Sequence, residues 1–274
     1  MPQIAASESV NIIRTAIYSS KPFAFARFGA VEIKTLLYVM KPSLRFFLRR
    51  YVYTNMPRNA GFFPCNDEML HLYFERMVSD MQQIDYLGCW RPEEIFFRHY
   101  LSNAMLLSCF PITTLHPHKL SWTPLLENKK VLVVHPFAET IERQYCNFRD
   151  KLHNSDTALP VFAKLETVKA ANTIDGDSNK YETWFDALNE MEREIEKKDF
   201  DIALIGCGAY GFCLATFVKR LGKQALHLGG DLQLYFGIKG KRWDSKGYYN
   251  EYWVRPSDKE TPKLSEKVEG GCYW

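Results

Sequence analysis

Three glycines, Gly206, Gly208 and Gly211, stand at G-x-G-x-x-G spacing directly after an apolar run, Ile202–Ile205. Glycine lets the backbone approach a ligand closely, and a helix that starts just beyond favours anions at its N-terminus. Ala209 and Tyr210 fill the loop between them. A second apolar run over residues 224–228 ends in another glycine turn, Gly229-Gly230, followed by Asp231. The order strand, glycine loop, helix, strand, glycine loop predicts an edge that accepts a phosphorylated ligand, most simply a nucleotide. Beyond it, Lys239, Lys241 and Arg242 add positive charge, and Trp243 offers a stacking face for a base or sugar. The competing explanation is tight strand–helix packing followed by a solvated basic turn.

Two further loops carry chemistry-bearing residues at the ends of apolar runs. Arg27 follows Phe23–Ala26, and Gly29 and Glu32 open the next helical segment. An arginine there can pin a phosphate through its fork of donors, and Glu32 faces the same cleft. His135 follows the run 131–134, with Glu139 at the start of the next helix. His135 suits a general base or a partner for a sugar hydroxyl. Each pair also has an ordinary structural explanation, as an acidic first helical turn or a histidine satisfied by loop backbone.

These loops need elements to hold them. Short apolar runs at 23–26, 86–89, 131–134, 159–165, 202–205 and 224–228 read as strands, separated by helical segments at 6–19, 30–40, 66–83, 138–152 and 180–197, with a further helix beginning near Pro92. The segment 180–197 has Tyr181, Trp184, Phe185, Leu188, Met191 and Ile195 at helical spacing, with Asn179 and Glu182 spaced as a capping box. Alternation of this kind predicts one α/β domain over residues 1–274: a Rossmann-like, mainly parallel sheet with helices on both faces. Ligands of such sheets sit beyond the carboxyl ends of the strands, where all three loops lie. An aromatic and basic excursion at 41–64, containing LRFFLRRYVY from Leu44 to Tyr53, reads as an amphipathic core helix or as a contact with a membrane surface or lipid-linked acceptor. From about residue 244 the chain reads as an irregular tail.

Composition narrows the function classes. A net charge of +3 over 274 residues does not argue for nucleic acid. No stretch of about 18 apolar residues predicts a membrane span, and the first residues lack the basic head and apolar core of a secretory signal. Seven scattered cysteines without a C-x-x-C pair fit reduced thiols in the cytoplasm. His116 and His118 straddle Pro117 and have no cysteine nearby, which argues against a zinc site.

The sequence Phe25-Ala26-Arg27-Phe28-Gly29, followed by Glu32, resembles the R-[FY]-G-D-G-E signature of the GT-D-type glycosyltransferases, bacterial enzymes of surface-polysaccharide and glycoprotein glycan assembly. The later segment, with Gly208-Ala209-Tyr210-Gly211 and Ile238 to Trp243, resembles largely uncharacterised bacterial proteins that share that signature. The resemblance implies a nucleotide-sugar donor, typically UDP-linked, and a glycan acceptor, which can be lipid-linked. It also implies an Asp-x-Glu pair that helps bind a divalent metal, Mn²⁺ or Mg²⁺, and the donor diphosphate. Here Ala30 stands at the aspartate position and Glu32 keeps the glutamate, so any metal is expected to be held weakly.

The expectation is glycosyl transfer from a nucleotide-sugar to a hydroxyl. Glu32, His135, Glu139 and Asp231 are the candidate bases. Arg27, Gly29, residues 206 and 208–211, the turn 229–230, Lys239, Arg242 and Trp243 are expected around the donor. Two alternatives remain. A dinucleotide- or S-adenosylmethionine-dependent enzyme would use Asp231, 20 residues after Gly211, on the ribose. A non-catalytic nucleotide-sugar-binding scaffold would explain Ala30.

Overall fold

The computed structural model describes residues 4–115, 121–153, 159–173 and 180–274. His116, His118 and Asn179 lie outside the described residues.

Seven strands form one parallel sheet: β1 (Phe23–Ala26), β2 (Tyr86–Cys89), β3 (Met105–Ser108), β4 (Lys130–His135), β5 (Lys164–Lys169), β6 (Ile202–Ile205) and β7 (Gln224–His227). Their order across the sheet is β3-β2-β1-β7-β6-β4-β5, and every pairing is parallel. The helices are α1 (Ala6–Tyr18), α2 (Ala30–Met40), α3 (Arg45–Ala60), α4 (Asp67–Met81), α5 (Phe110–Thr113), α6 (Ala138–Phe148), α7 (Trp184–Glu196), α8 (Gly211–Arg220) and α9 (Leu232–Tyr235).

Successive strand residues point to opposite faces of the sheet and feed two cores. Ala24, Leu132, Val134, Ala203 and Ile205 pack with α2, α3, α4, α7 and α8. Phe23, Phe25, Val131, Val133, Ile202 and Leu204 pack with α1, α5, α6 and α9. The chain winds outward from β1 to β3 and reappears near the other edge. It then returns through β6 and β7 to lie beside β1. The helix after β1 therefore leaves on one face and the helix after β7 on the other. Where neighbouring connections part in this way a crevice opens at the carboxyl ends of the strands.

Several expected boundaries move. The strand expected at 159–165 is β5, Lys164–Lys169, and the helix expected at 138–152 ends at Phe148. The start of α7 is set by a capping box between Thr183 and Asp186. The segment near Pro92 is a short 3-10 turn, Pro92–Phe97. β3 escapes sequence reading because it is a four-residue edge strand whose first residue, Met105, is exposed. The excursion at 41–64 is mostly α3, a helix that carries Pro57 and ends at left-handed Gly61.

Candidate functional site

A cleft, partly continuous with solvent, lies over the carboxyl ends of β1, β4, β6 and β7. Arg27 leaves β1 into it. Its guanidinium lies 4.8 Å from the Trp90 ring, and Trp90 is fixed by an indole N–H donated to the Phe28 carbonyl at 2.8 Å. The Arg27 Nε is buried and has no hydrogen-bond partner among the described residues. Gly229 has φ of +71°, and a Cβ there would come within 2.4 Å of Arg27 Nη1. Glycine at 229 thus satisfies a left-handed turn and leaves room for the arginine to cross from the β1 loop to the β7 loop.

Glu32 sits in the first turn of α2, where the preceding Gly29 has no side chain to cap the helix. The Glu32 carboxylate fills that role by folding back onto the backbone N–H groups of Val31 and Glu32. A Cβ on Gly29 would meet Glu32 Oε2 at 1.9 Å, so the carboxylate lies directly over this glycine. Burial pushes the Glu32 pKa up; its helix amide and Arg27 oppose the rise, and Glu269 adds to it.

His135 ends β4 and is buried. Its Nδ1 accepts the Phe137 N–H at 3.0 Å. Burial lowers its pKa to about 3, so the ring is neutral near pH 7 and carries its proton on Nε2. Such a ring is a hydrogen-bond donor; with Nδ1 engaged and Nε2 protonated it has no lone pair free to take a proton. In this arrangement His135 meets the cleft as a donor.

The glycine loop shows three different uses of glycine. A Cβ on Gly206 would meet the Gly229 carbonyl at 2.7 Å and His135 Cδ2 at 2.8 Å. One on Gly211 would meet the buried His227 ring at 2.2 Å. Gly208 has φ of +56° with nothing within 4 Å of a built Cβ, so its backbone faces open cleft. Tyr210 forms a wall, stacked on Trp184 at 4.8 Å and 6° and sharing a 2.8 Å hydrogen bond with Thr173. Ala209 is buried and does not line the cleft.

The irregular tail lines one part of the cleft. Arg242 pairs with Glu269, both on the lining, and lies 4.7 Å from the Tyr273 ring. Tyr273 packs on Gly230, where a Cβ would be 2.3 Å from its ring. Upstream, Glu260 accepts the Glu139 N–H at 2.9 Å and the Thr140 N–H at 3.2 Å, and also the Thr140 hydroxyl. The tail thus caps α6.

Other expected site residues lie away from the cleft lining. Glu139 is exposed and pairs with Lys169 at 3.0 Å, because its helix start is already occupied by Glu260. Asp231 accepts the Thr114 hydroxyl at 2.9 Å and does not line the cleft, which removes the ribose-binding acid of the dinucleotide alternative. Lys239 bonds Val254 through its backbone and lies near Tyr249. Trp243 is buried against Gly240, so its face is not free for a base. Gly211 is packed rather than ligand-facing, as described above.

Other lining residues were not anticipated: Trp90, His227, Asn59, Thr173, Glu269 and Tyr273. Trp90 and His227 sit at strand carboxyl ends, so the same positional rule that selects Arg27 applies to them. Nothing local marks the others.

The Asp-x-Glu pair that the resemblance implies is incomplete here. Ala30 offers no ligand atom, the Glu32 carboxylate is engaged by helix amides, and no group of three or more His, Cys, Asp or Glu among the described residues is placed to hold a metal ion.

A family model described as a GT-D fold-like domain matches residues 4–234. The match takes in Arg27, Glu32 and both glycine turns and ends before Arg242 and Glu269. No curated protein matches the chain. A solved structure titled a selenomethionine-substituted domain of unknown function 1792 is similar over 98% of this chain and 94% of that one, at 13% identity and a TM-score of 0.49.

Proposed function

The chain belongs to the GT-D-like family, and from that premise we propose that it transfers a sugar from a nucleotide-sugar, UDP-linked by the family resemblance, to a glycan hydroxyl. The observation that carries the reading is the convergence of Arg27, Glu32, His135 Nε2–H and the open backbone at Gly208 on one cleft.

A leaving nucleoside diphosphate needs positive charge and preorganised donors. In the proposal Arg27 supplies the charge, with a buried Nε that lacks a partner until the diphosphate arrives. The His135 Nε2–H and the helix-start backbone after Gly208 add donors. Arg242 joins from the rim by exchanging Glu269 for a phosphate oxygen.

The acceptor oxygen attacks the anomeric carbon, the bond to the diphosphate oxygen breaks, and the acceptor proton passes to Glu32. Burial suits Glu32 for this by raising its proton affinity above that of an exposed carboxylate. No step requires a cation held by the protein.

Incubation with a panel of nucleotide-sugars and glycan acceptors, with released nucleoside diphosphate measured, tests the reading. Acceptor-dependent release that disappears in Glu32→Gln supports it. Tight donor binding without release for any acceptor would favour the scaffold alternative, and absence of nucleotide binding would remove both.

A further inference from the structure

We propose that the first turns of α3 dock this protein on an anionic lipid bilayer. The helix buries only Val52, Met56 and Ala60, and none of residues 45–50 is buried. Phe46 and Phe47 are 86% and 75% exposed and contact each other edge to face at 5.5 Å. Two adjacent aromatic side chains held in water at the start of a helix form an apolar tip that nothing among the described residues covers.

The charge around this tip selects the partner. Lys41, Arg45, Arg49 and Arg50 flank it in the sequence. Asp67 is the acid that meets these cations, 3.9 Å from Arg49, and it also accepts the hydroxyls of Tyr38 and Tyr53. Arg45 bonds the carbonyls of Tyr38 and Val39 and His71, which fixes the base of the tip. Arg50 is exposed and makes no ion pair among the described residues. The Lys41 ammonium lies 5.8 Å from the ring of Phe96, which is also exposed. Aromatic side chains flanked by arginine and lysine match the boundary between acyl chains and anionic headgroups. A protein partner would need an acidic and apolar surface of matching shape, whereas a bilayer needs only this composition.

The far end of the same helix, Asn59 and Ala60 with Gly61, lines the cleft. Sixteen residues of helix place it no more than roughly 24 Å from the tip. Docking would hold the cleft within reach of an acceptor tethered to lipid. That consequence rests on the transfer reading, while docking itself rests on the tip alone.

Vesicle flotation of the full chain, with phosphatidylcholine alone and with added phosphatidylglycerol, tests the proposal. The protein should float with the anionic vesicles and stay behind with the neutral ones. The pairs Phe46→Ser with Phe47→Ser, and Arg49→Glu with Arg50→Glu, should each weaken binding about ten-fold or more. Their melting temperatures and their UDP affinity should match the parent. No flotation with anionic vesicles, or full flotation of the Phe46→Ser/Phe47→Ser pair, would overturn the proposal. So would a concentration-dependent dimer, seen by light scattering, that the phenylalanine pair abolishes, since it would assign the tip to a second copy of the chain. UDP binding by a chain that does not float would reject docking and leave the transfer reading intact.

Discussion

The loop after β1 and the loop after β6 face the same cleft, but they are built in opposite ways. The β1 loop works through side chains: Arg27 reaches across to Gly229, and Glu32 folds back over Gly29. The β6 loop works through backbone, and only one of its three fingerprint glycines faces open space. Gly206 and Gly211 are glycine because the Gly229 carbonyl and the His227 ring occupy the volume of a Cβ; Gly208 is glycine at a left-handed, open position. A glycine fingerprint is therefore mixed evidence for a ligand. The space around each position separates access from packing.

The largest effect should come from the side-chain loop. Glu32→Gln and Arg27→Ala should each lower transfer by about 10²- to 10⁴-fold with melting temperatures within a few degrees of the parent, as measured by diphosphate release and thermal unfolding. Gly29→Ala should resemble Glu32→Gln, because it displaces only the end of a flexible side chain. A fully active Gly29→Ala enzyme would show that the folded-back carboxylate is not the working arrangement.

The packed glycines should instead register in stability. Gly211→Ala drives a methyl group into the buried His227 ring and should cost about 1–3 kcal/mol in urea unfolding. Equal stability would break the proposed division between packing and access.

Acid should unfold the protein through the same buried rings. His135 and His227 have pKa values lowered to about 3 by burial, below the unfolded value near 6.5. Below pH 6.5 the unfolded chain binds protons that the native rings refuse, so stability falls as pH drops from 6.5 toward 3. At pH 5 the loss is about 2 kcal/mol per ring. A His227→Leu variant, if it folds, should show a shallower decline in denaturant midpoint with falling pH.

The smallest effect should be that of metal removal. Because Ala30 contributes no ligand, EDTA should change the transfer rate by less than about two-fold, and Ala30→Asp should raise Mn²⁺ affinity. An enzyme killed by EDTA and rescued by Mn²⁺ would show that Glu32 and the donor diphosphate are enough to hold the ion.

Much of this arrangement was legible in the sequence because it is local. Strand carboxyl ends at Ala26, His135 and Ile205 place Arg27, His135 and Gly206 by simple succession, and the parallel sheet follows from alternation. The tail was not legible. The contacts of Glu260 with Thr140, Arg242 with Glu269 and Tyr273 with Gly230 join residues 27 to 120 apart in sequence through segments with almost no periodic structure. Lys239 and Trp243 were expected at the ligand because of their types; backbone pairing with Val254 and packing on Gly240 turned them into supports. His135 illustrates a subtler limit. Its position was readable, but its protonation depends on a single backbone N–H from Phe137 and on burial.

The central claim is that this cleft holds a nucleoside diphosphate between Arg27 and the open backbone at Gly208. Calorimetric titration of UDP into the parent, Arg27→Ala and Gly208→Val, each first shown to be folded, tests it most directly. The account predicts binding to the parent and at least about a ten-fold loss of affinity in both variants. Unchanged UDP affinity in both folded variants would contradict it.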